Sequence, residues 1–473
     1  MSIDNLQNKV LTSISGSKYL LSDIIGEGSQ GIIYDTANKK YVVKLYKTTS
    51  EVQKKRQLKK LIWLIKLNFP RQFIKPLDII EAPYIGYVMK NVSGHVSLNK
   101  LLIPNKEMSF SEWYNNATGG LYRRLLIGQK IAMQFAELHR SSFAYCDLSG
   151  NNIRVNEDEK INSVCMIDID NIYIPGTDDV SVLGTSRYMA PEILNKQMNP
   201  DIFTDSYSLA VILFELLRIG HPYIGDSIED GTPEQEAEAY KGLYPYIDDP
   251  NTDLNRASQC LPADVVFTTK LKELFEKTFI DGKENRLSRI RAYDYALALQ
   301  RASNLVVKCK SCGNWHYAKP NTERKYICPW CDKEYKKPMR LAFYERYYCK
   351  VNEKPLEPPL KDKPIADFIL REKSSNSVPL NYIKDSYEVN EDKYFDGYFQ
   401  IKLGEDGNYY LLNNLGHNIY IEQQSGGYLL VSKPQRIKKD DKIFFTNMSP
   451  EKLEEEDLVK SVKGISYRYA IVR

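Results

Sequence analysis

At 473 residues the chain is longer than one ordinary domain and points to two to four. Its hydrophobic and charged fractions, 42% and 27%, are those of a globular protein, and a net charge of +4 makes no case for nucleic acid or a membrane surface as a partner. Met1 to Lys18 has no apolar core behind a basic head, and the most apolar run, Leu209 to Phe214, is broken by Glu215, so neither a secretory leader nor a bilayer span is expected.

Tyr19 to Ile25 alternates as a strand does, and Gly26-Glu27-Gly28-Ser29-Gln30-Gly31 follows. Glycines at 26, 28 and 31 let a backbone approach phosphates closely and turn its N–H groups toward them. A dinucleotide site would need a helix next. Here Ile32, Ile33 and Tyr34 follow instead, so the loop joins two strands. Tyr41 to Tyr46 is predicted as a strand carrying one lysine, Lys44, among apolar residues. An edge-strand lysine kept in water is the plain alternative, but the glycine loop upstream favours a phosphate ligand. Glu51 to Leu67 places Leu58, Leu61, Ile62 and Ile65 at helical spacing. Beyond Glu51 that helix has no Glu, only Gln53 and Gln57, so a carboxylate partner for Lys44 is either Glu51 or absent. Lys54, Lys55, Arg56, Lys59 and Lys60 give it a basic face, read as solvated, with docking of an acidic partner as the alternative.

Leu121 to His139 is an amphipathic helix. Just beyond it, Tyr145-Cys146-Asp147-Leu148-Ser149-Gly150-Asn151-Asn152 spaces an Asp, a Leu, three residues and an Asn. An Asp so placed can deprotonate a hydroxyl, and the Asn can hold magnesium; a turn-capping Asp147 is the alternative. Val164 to Ile167 reads as a buried strand, followed by Asp168-Ile169-Asp170. Asp168 follows the strand directly and is the better metal ligand, whereas Asp170 is read as a loop aspartate. Gly184-Thr185-Ser186-Arg187-Tyr188-Met189-Ala190-Pro191-Glu192 comes next, and Thr204-Asp205 opens a long apolar helix to Leu217. Gly225 to Asp253 is rich in acids, read as a solvated insertion or else a dock for a basic substrate.

In this order the parts resemble a protein kinase. The resemblance implies a bilobal α+β fold over residues 1–303, ending with the helix around Ala292 to Ala302. It implies ATP held by Gly26, Gly28, Gly31, Ile33 and Lys44, with Mg2+ (or Mn2+) on Asn152 and Asp168 and Asp147 as the catalytic base. Gly86 to Met89 would be the strand before the hinge, with Met89 at the back of the pocket and the backbone of Lys90 to Val92 on adenine. Thr185 would hydrogen-bond Asp147, Asp205 would grip the catalytic loop, and Arg286 would pair with Glu192. Tyr145 and Cys146 replace the usual His-Arg, and Ser149 stands where serine/threonine kinases place a Lys.

Cys309-x2-Cys312, then Cys328-x2-Cys331, is a four-cysteine pattern suited to a structural Zn2+, predicting a zinc ribbon at 305–335. The other four cysteines are scattered, which fits a reducing compartment and a cytoplasmic protein. Residues 336–364 read as a linker, with Pro355, Pro358 and Pro359 stiffening Glu353 to Lys363. Residues 365–473 turn to short strands, including Tyr398 to Ile401, Tyr409 to Leu412, Ile419 to Ile421, Tyr428 to Val431, Ile443 to Phe445 and Tyr469 to Val472, which favours an all-β sandwich. Gly407 to Asn418, with Lys442 to Phe445 after it, resembles a forkhead-associated (FHA) domain. The Arg and Ser with which that family binds phosphothreonine are not in place.

The whole order, carried by Asp147-Leu148-Ser149 with Asn151-Asn152 and by Ile167-Asp168-Ile169-Asp170-Asn171, resembles the bacterial kinase of the tellurite-resistance-associated (TerY-P) phosphorylation triad. That resemblance implies serine/threonine phosphorylation of a partner protein, and of the kinase itself. The implied substrate is a von Willebrand factor A (vWA) domain protein, with a PPM-type phosphatase as antagonist. The alternative is a nucleotide-binding pseudokinase scaffold that recruits partners through its ribbon and sandwich.

Overall fold

The computed structural model describes residues 5–28, 30–48, 50–173, 184–320, 322–351, 354–356, 364–372, 375–385, 391–455 and 465–473. Ser29 of the glycine loop, and residues 353 and 357–363 of the proline-bearing stretch, lie outside them. The chain divides into two compact units, 1–299 and 300–473.

The first unit opens with an antiparallel sheet in the order β1-β2-β3-β4-β6-β5. Its strands are β1 (Val10–Thr12), β2 (Lys18–Glu27), β3 (Gly31–Thr36), β4 (Tyr41–Tyr46), β5 (Asp78–Ile79) and β6 (Gly86–Lys90). Both faces of β4 are buried, because one side packs on Leu11, Leu21 and Val88 and the other on helix α1 (Glu51–Lys66). Ser50 caps α1, its hydroxyl accepting from the Gln53 N–H. The inward stripe of α1 is apolar, with Leu61 buried among Val42, Tyr46, Tyr87 and Met89 and with Leu58 and Ile65 beside it.

A mainly helical lobe follows. Helix α2 (Gly120–Arg140) packs on helix α3 (Ile202–Arg218), which is buried along almost its whole length. Asp201 caps α3 in a reciprocal box with Thr204. Three short strands, β7 (His95–Ser97), β8 (Ile153–Asn156) and β9 (Val164–Met166), form a small sheet that carries the loops of the site. The bilobal arrangement expected over this part of the chain is the one observed. Among the described residues, no helix is long and apolar enough to cross a membrane.

In the second unit, which takes in the end of helix α4 (Ala292–Ser303), β10 (Val306–Lys308) pairs with β11 (Trp315–Tyr317) beside the four cysteines. The rest is two antiparallel sheets sharing one core. The larger runs β13-β12-β22-β21-β18-β19, with β14 paired to β12; the smaller runs β15-β16-β17-β20. These strands are β12 (Arg340–Val351), β13 (Lys354–Leu356), β14 (Ala366–Ile369), β15 (Asn376–Pro379), β16 (Gly397–Leu403), β17 (Tyr409–Leu412), β18 (Ile419–Glu422), β19 (Tyr428–Leu430), β20 (Gln435–Ile437), β21 (Lys442–Phe445) and β22 (Ile465–Val472). Leu341, Phe343, Ile443 and Val472 of one sheet meet Val378, Ile401, Leu411 and Ile437 of the other. One expectation is corrected: residues 340–351 are not linker but β12, which pairs with the last strand from Leu341↔Val472 to Tyr348↔Ile465. The partner lies at the far end of the chain, and no local pattern announces a pairing of that span.

Candidate active site

Strand β4 carries Lys44 as a buried side chain. Its ammonium lies 3.1 Å from Asp168 Oδ1 and 3.0 and 3.2 Å from the two oxygens of Asp170. Burial opposes the lysine's charge, but Asp170 and Asp168 outweigh it and raise its pKa above the ordinary value. The Asp170 carboxyl is held down for the converse reason. Burial favours its neutral form, yet Lys44 and a hydroxyl from Tyr46 keep it ionised. Asp170 is therefore not the loop aspartate the sequence suggests. It accepts from the Tyr46 hydroxyl at 2.7 Å and from the Tyr87 hydroxyl at 3.4 Å. Tyr46 lies two residues along β4 from Lys44, on the same face, and Tyr87 lies directly across on β6. Glu51 is not the lysine's partner: it sits exposed in the first turn of α1 and pairs with Lys54 at 2.7 Å.

The loop between α2 and β8 is fixed from below. The Asp205 carboxylate accepts from the backbone N–H of Tyr145 (2.5 Å) and of Cys146 (3.1 Å). The Tyr145 hydroxyl donates to the Ile167 carbonyl, tying this loop to the Asp168 loop. Asp147 then accepts at Oδ2 from the side-chain amides of Asn152 (3.0 Å) and Asn171 (3.2 Å). Thr185 reaches Asp147 through its backbone N–H. Burial pushes the Asp147 carboxyl up to about 6, against the pull of Asn152, with Asp168 adding to the rise. Cys146 and Asp168 both sit at positive φ, 70° and 57°, and such strain collects where neighbouring structure over-determines the backbone. Ser149 is buried in the same loop.

Around this centre stand the other expected residues. A side chain on Gly28 would enter open space, and Gly26 sits in β2 opposite Ile33. Gly31 has a different reason to be glycine: a Cβ there would come within 2.3 Å of the Leu45 carbonyl, so the residue is needed for strand packing. Gln30 reaches from the glycine loop to Asn171 (3.5 Å). Met89 is buried, Lys90 is exposed and Val92 is half-buried at the end of the sheet. Lys44 thus meets Asp168, and Asn152 meets Asp147. Sequence reasoning missed Tyr46, Tyr87 and Asn171, and it undervalued Asp170. The one available signal was negative, the lack of a second acid on α1.

One ion pair differs from expectation. Arg289, not Arg286, forms the two-pronged pair with Glu192, at 2.6 and 2.8 Å, and is almost fully buried. Arg286 pairs instead with Asp201, the cap of α3. A 3-10 turn at Arg286–Ser288 precedes Arg289, and the extended backbone at that residue turns its side chain inward.

Residues 19–298 match the protein kinase domain model. The chain belongs to the protein kinase family. This kinase is similar to a "probable serine/threonine-protein kinase" of Dictyostelium discoideum (26% identical over 230 residues, 46% of this chain and 13% of the relative). It is also similar to one of Clostridium perfringens (24% over 229 residues, 46% and 31%) and one of Zea mays (22% over 293 residues, 60% and 44%). The kinase spans less than half the length of each of these relatives. A protein kinase domain generally uses ATP with Mg2+.

In the second unit, Cys309, Cys312, Cys328 and Cys331 place their sulfurs within 4.8 Å of one another. Cys309 to Cys331 is 3.8 Å and Cys312 to Cys328 is 3.7 Å. Four thiolates at about 2.3 Å from a tetrahedral zinc would stand about 3.8 Å apart, so the donor set fits that ion. His316 lies outside the cluster, its Nδ1 donating to the Tyr317 carbonyl at 3.1 Å.

Proposed function

We propose that the chain transfers the γ-phosphoryl group of ATP to serine or threonine hydroxyls of a partner protein and of itself. Asp147 orients the hydroxyl and takes its proton, and Lys44 holds nucleotide phosphates under the glycine loop. Asn152 and Asp168 would hold Mg2+ (or Mn2+), which would supply neutralisation of the charge that develops on phosphate. Gly26, Gly28, Gly31 and Ile33 would cover the nucleotide, with Met89 and the backbone of Lys90 and Val92 toward adenine. The reading is supported by the Lys44–Asp168 ion pair and by the hydrogen bonds that Asn152 and Asn171 give Asp147, made between three separate stretches of chain.

The pseudokinase alternative drew on the missing helix carboxylate and on Ser149. Asp170 beside Lys44 weakens the first of these grounds. Labelled ATP tests the reading: wild type labels itself or an added protein, and Asp147→Ala and Lys44→Met do not. Equal labelling by wild type and Asp147→Ala would remove Asp147 as the base.

The finer assignments belong to the same proposal. The four cysteines bind a structural Zn2+ in a ribbon at 305–335, and the C-terminal sheets form an FHA-like sandwich. The likeness to the TerY-P triad kinase supports a cytoplasmic bacterial enzyme with a vWA-domain protein as substrate and a PPM-type phosphatase as antagonist.

A further inference from the structure

A lysine that grips phosphates must itself be held, because its four-carbon stem is flexible and its ammonium is a mobile point charge. The holding carboxylate does not come from helix α1 here. Its one acid, Glu51, faces solvent and is taken by Lys54. Its inward stripe is Leu58, Leu61 and Ile65. Gln57, the polar side chain nearest that stripe, buries an Oε1 that has no hydrogen-bond partner among the described residues.

The sheet instead builds a socket for Asp170. Lys44 and Tyr46 stand two apart on β4, Tyr87 faces Lys44 from β6, and all three point at one buried carboxylate. Both oxygens of Asp170 are used, each shared between Lys44 and one tyrosine hydroxyl. Asp168 also touches Lys44, but it keeps about a quarter of its side chain in solvent, whereas Asp170 keeps 6%. Of the two carboxylates, Asp168 is the one free to turn toward a metal, and Asp170 is the one the protein locks in place.

We infer that Asp170 is the positioning residue for Lys44, so that the lysine anchor and the metal-binding Asp168 ride on one short loop and neither depends on a carboxylate of helix α1. Helix α1 still packs on the socket, with Leu61 against Tyr46 and Tyr87, but it gives Lys44 no charge partner. The inference rests on the nucleotide-binding reading of the cleft.

Full-length protein is titrated with ATP and, separately, with adenosine, at fixed and at varied Mg2+. Asp170→Asn keeps the shape and removes the charge. It is expected to weaken ATP about tenfold or more, while adenosine, which lacks phosphates, changes by less than about twofold. The half-saturating Mg2+ concentration stays at the wild-type value. Tyr46→Phe moves ATP affinity in the same direction by a smaller factor, and it tests the socket should Asp170→Asn fold poorly. In a Lys44→Met background Asp170→Asn has no further effect on ATP affinity, because Asp170 acts only through Lys44.

Unchanged ATP affinity in Asp170→Asn would overturn the inference. So would an equal loss of ATP and adenosine, which marks general damage, or a raised Mg2+ requirement, which marks a metal ligand. Wild-type protein that binds neither ATP nor adenosine would instead overturn the kinase reading itself.

Discussion

At Asp147 two effects oppose one another. Burial and the nearby Asp168 charge favour the neutral acid, while amide donors from Asn152 and Asn171 and a backbone N–H from Thr185 favour the carboxylate. Burial is the larger, and it pushes the carboxyl up to about 6. A base works only when ionised, so with Asp147 as the proposed base activity is expected to fall as pH drops through that value. We expect kcat/KM, which reports the free enzyme, to level above about pH 7 and to drop about tenfold per unit well below 6. Rates measured across that range, with a substrate that does not titrate there, check it; a flat profile down to about pH 5 would contradict the burial argument. Substituting Asp147 by Asn should remove the activity rather than shift the profile.

Among the elements, helix α3 carries the most constraint. Its first turn supplies Asp205 to the loop that carries Asp147, and its cap, Asp201, meets Arg286. The neighbouring Arg289–Glu192 pair differs from the Arg286–Asp201 pair in burial. The first leaves 1% and 13% of its side chains exposed, the second 33% and 30%. Removing one member of a buried pair strands the other charge away from water. Arg289→Ala is therefore expected to cost about 3–5 kcal/mol. Arg286→Ala should cost about 0–1 kcal/mol, since water can replace its partner. Denaturant midpoints of the two variants, read with unchanged slopes, give the comparison. Equal losses would mean that burial does not separate the two pairs.

At the scale of the whole molecule, the second unit ties distant parts of the chain together. Strand β12 lies against β22 at the C-terminal end, and four cysteines from two knuckles close on one point. Thiolates at the observed separations repel unless a cation stands among them. We expect freshly purified protein to hold about one zinc per chain, and Cys309→Ala with Cys331→Ala to hold almost none. Elemental analysis measures both, and less than about half an equivalent in wild type would count against the assignment.

Lys44, Asp147, Asn152, Asp168 and the cysteine pairs stood out as candidates because each lies in a short motif whose spacing is itself the signal. The strands at 409–412, 419–422 and 442–445 were legible for the same local reason, alternation between turns. Asp170, Arg289 and β12 were not, and they share a cause. What each does is set by a residue remote in sequence: Tyr87 across the sheet, Glu192 on another segment, and the last strand of the chain. Local pattern determined the family to which this chain belongs and roughly where its elements lie. Only the folded chain decided which carboxylate holds the lysine, which arginine is buried and which strands meet, because buried charge and strand pairing take the partners that three-dimensional packing brings within reach.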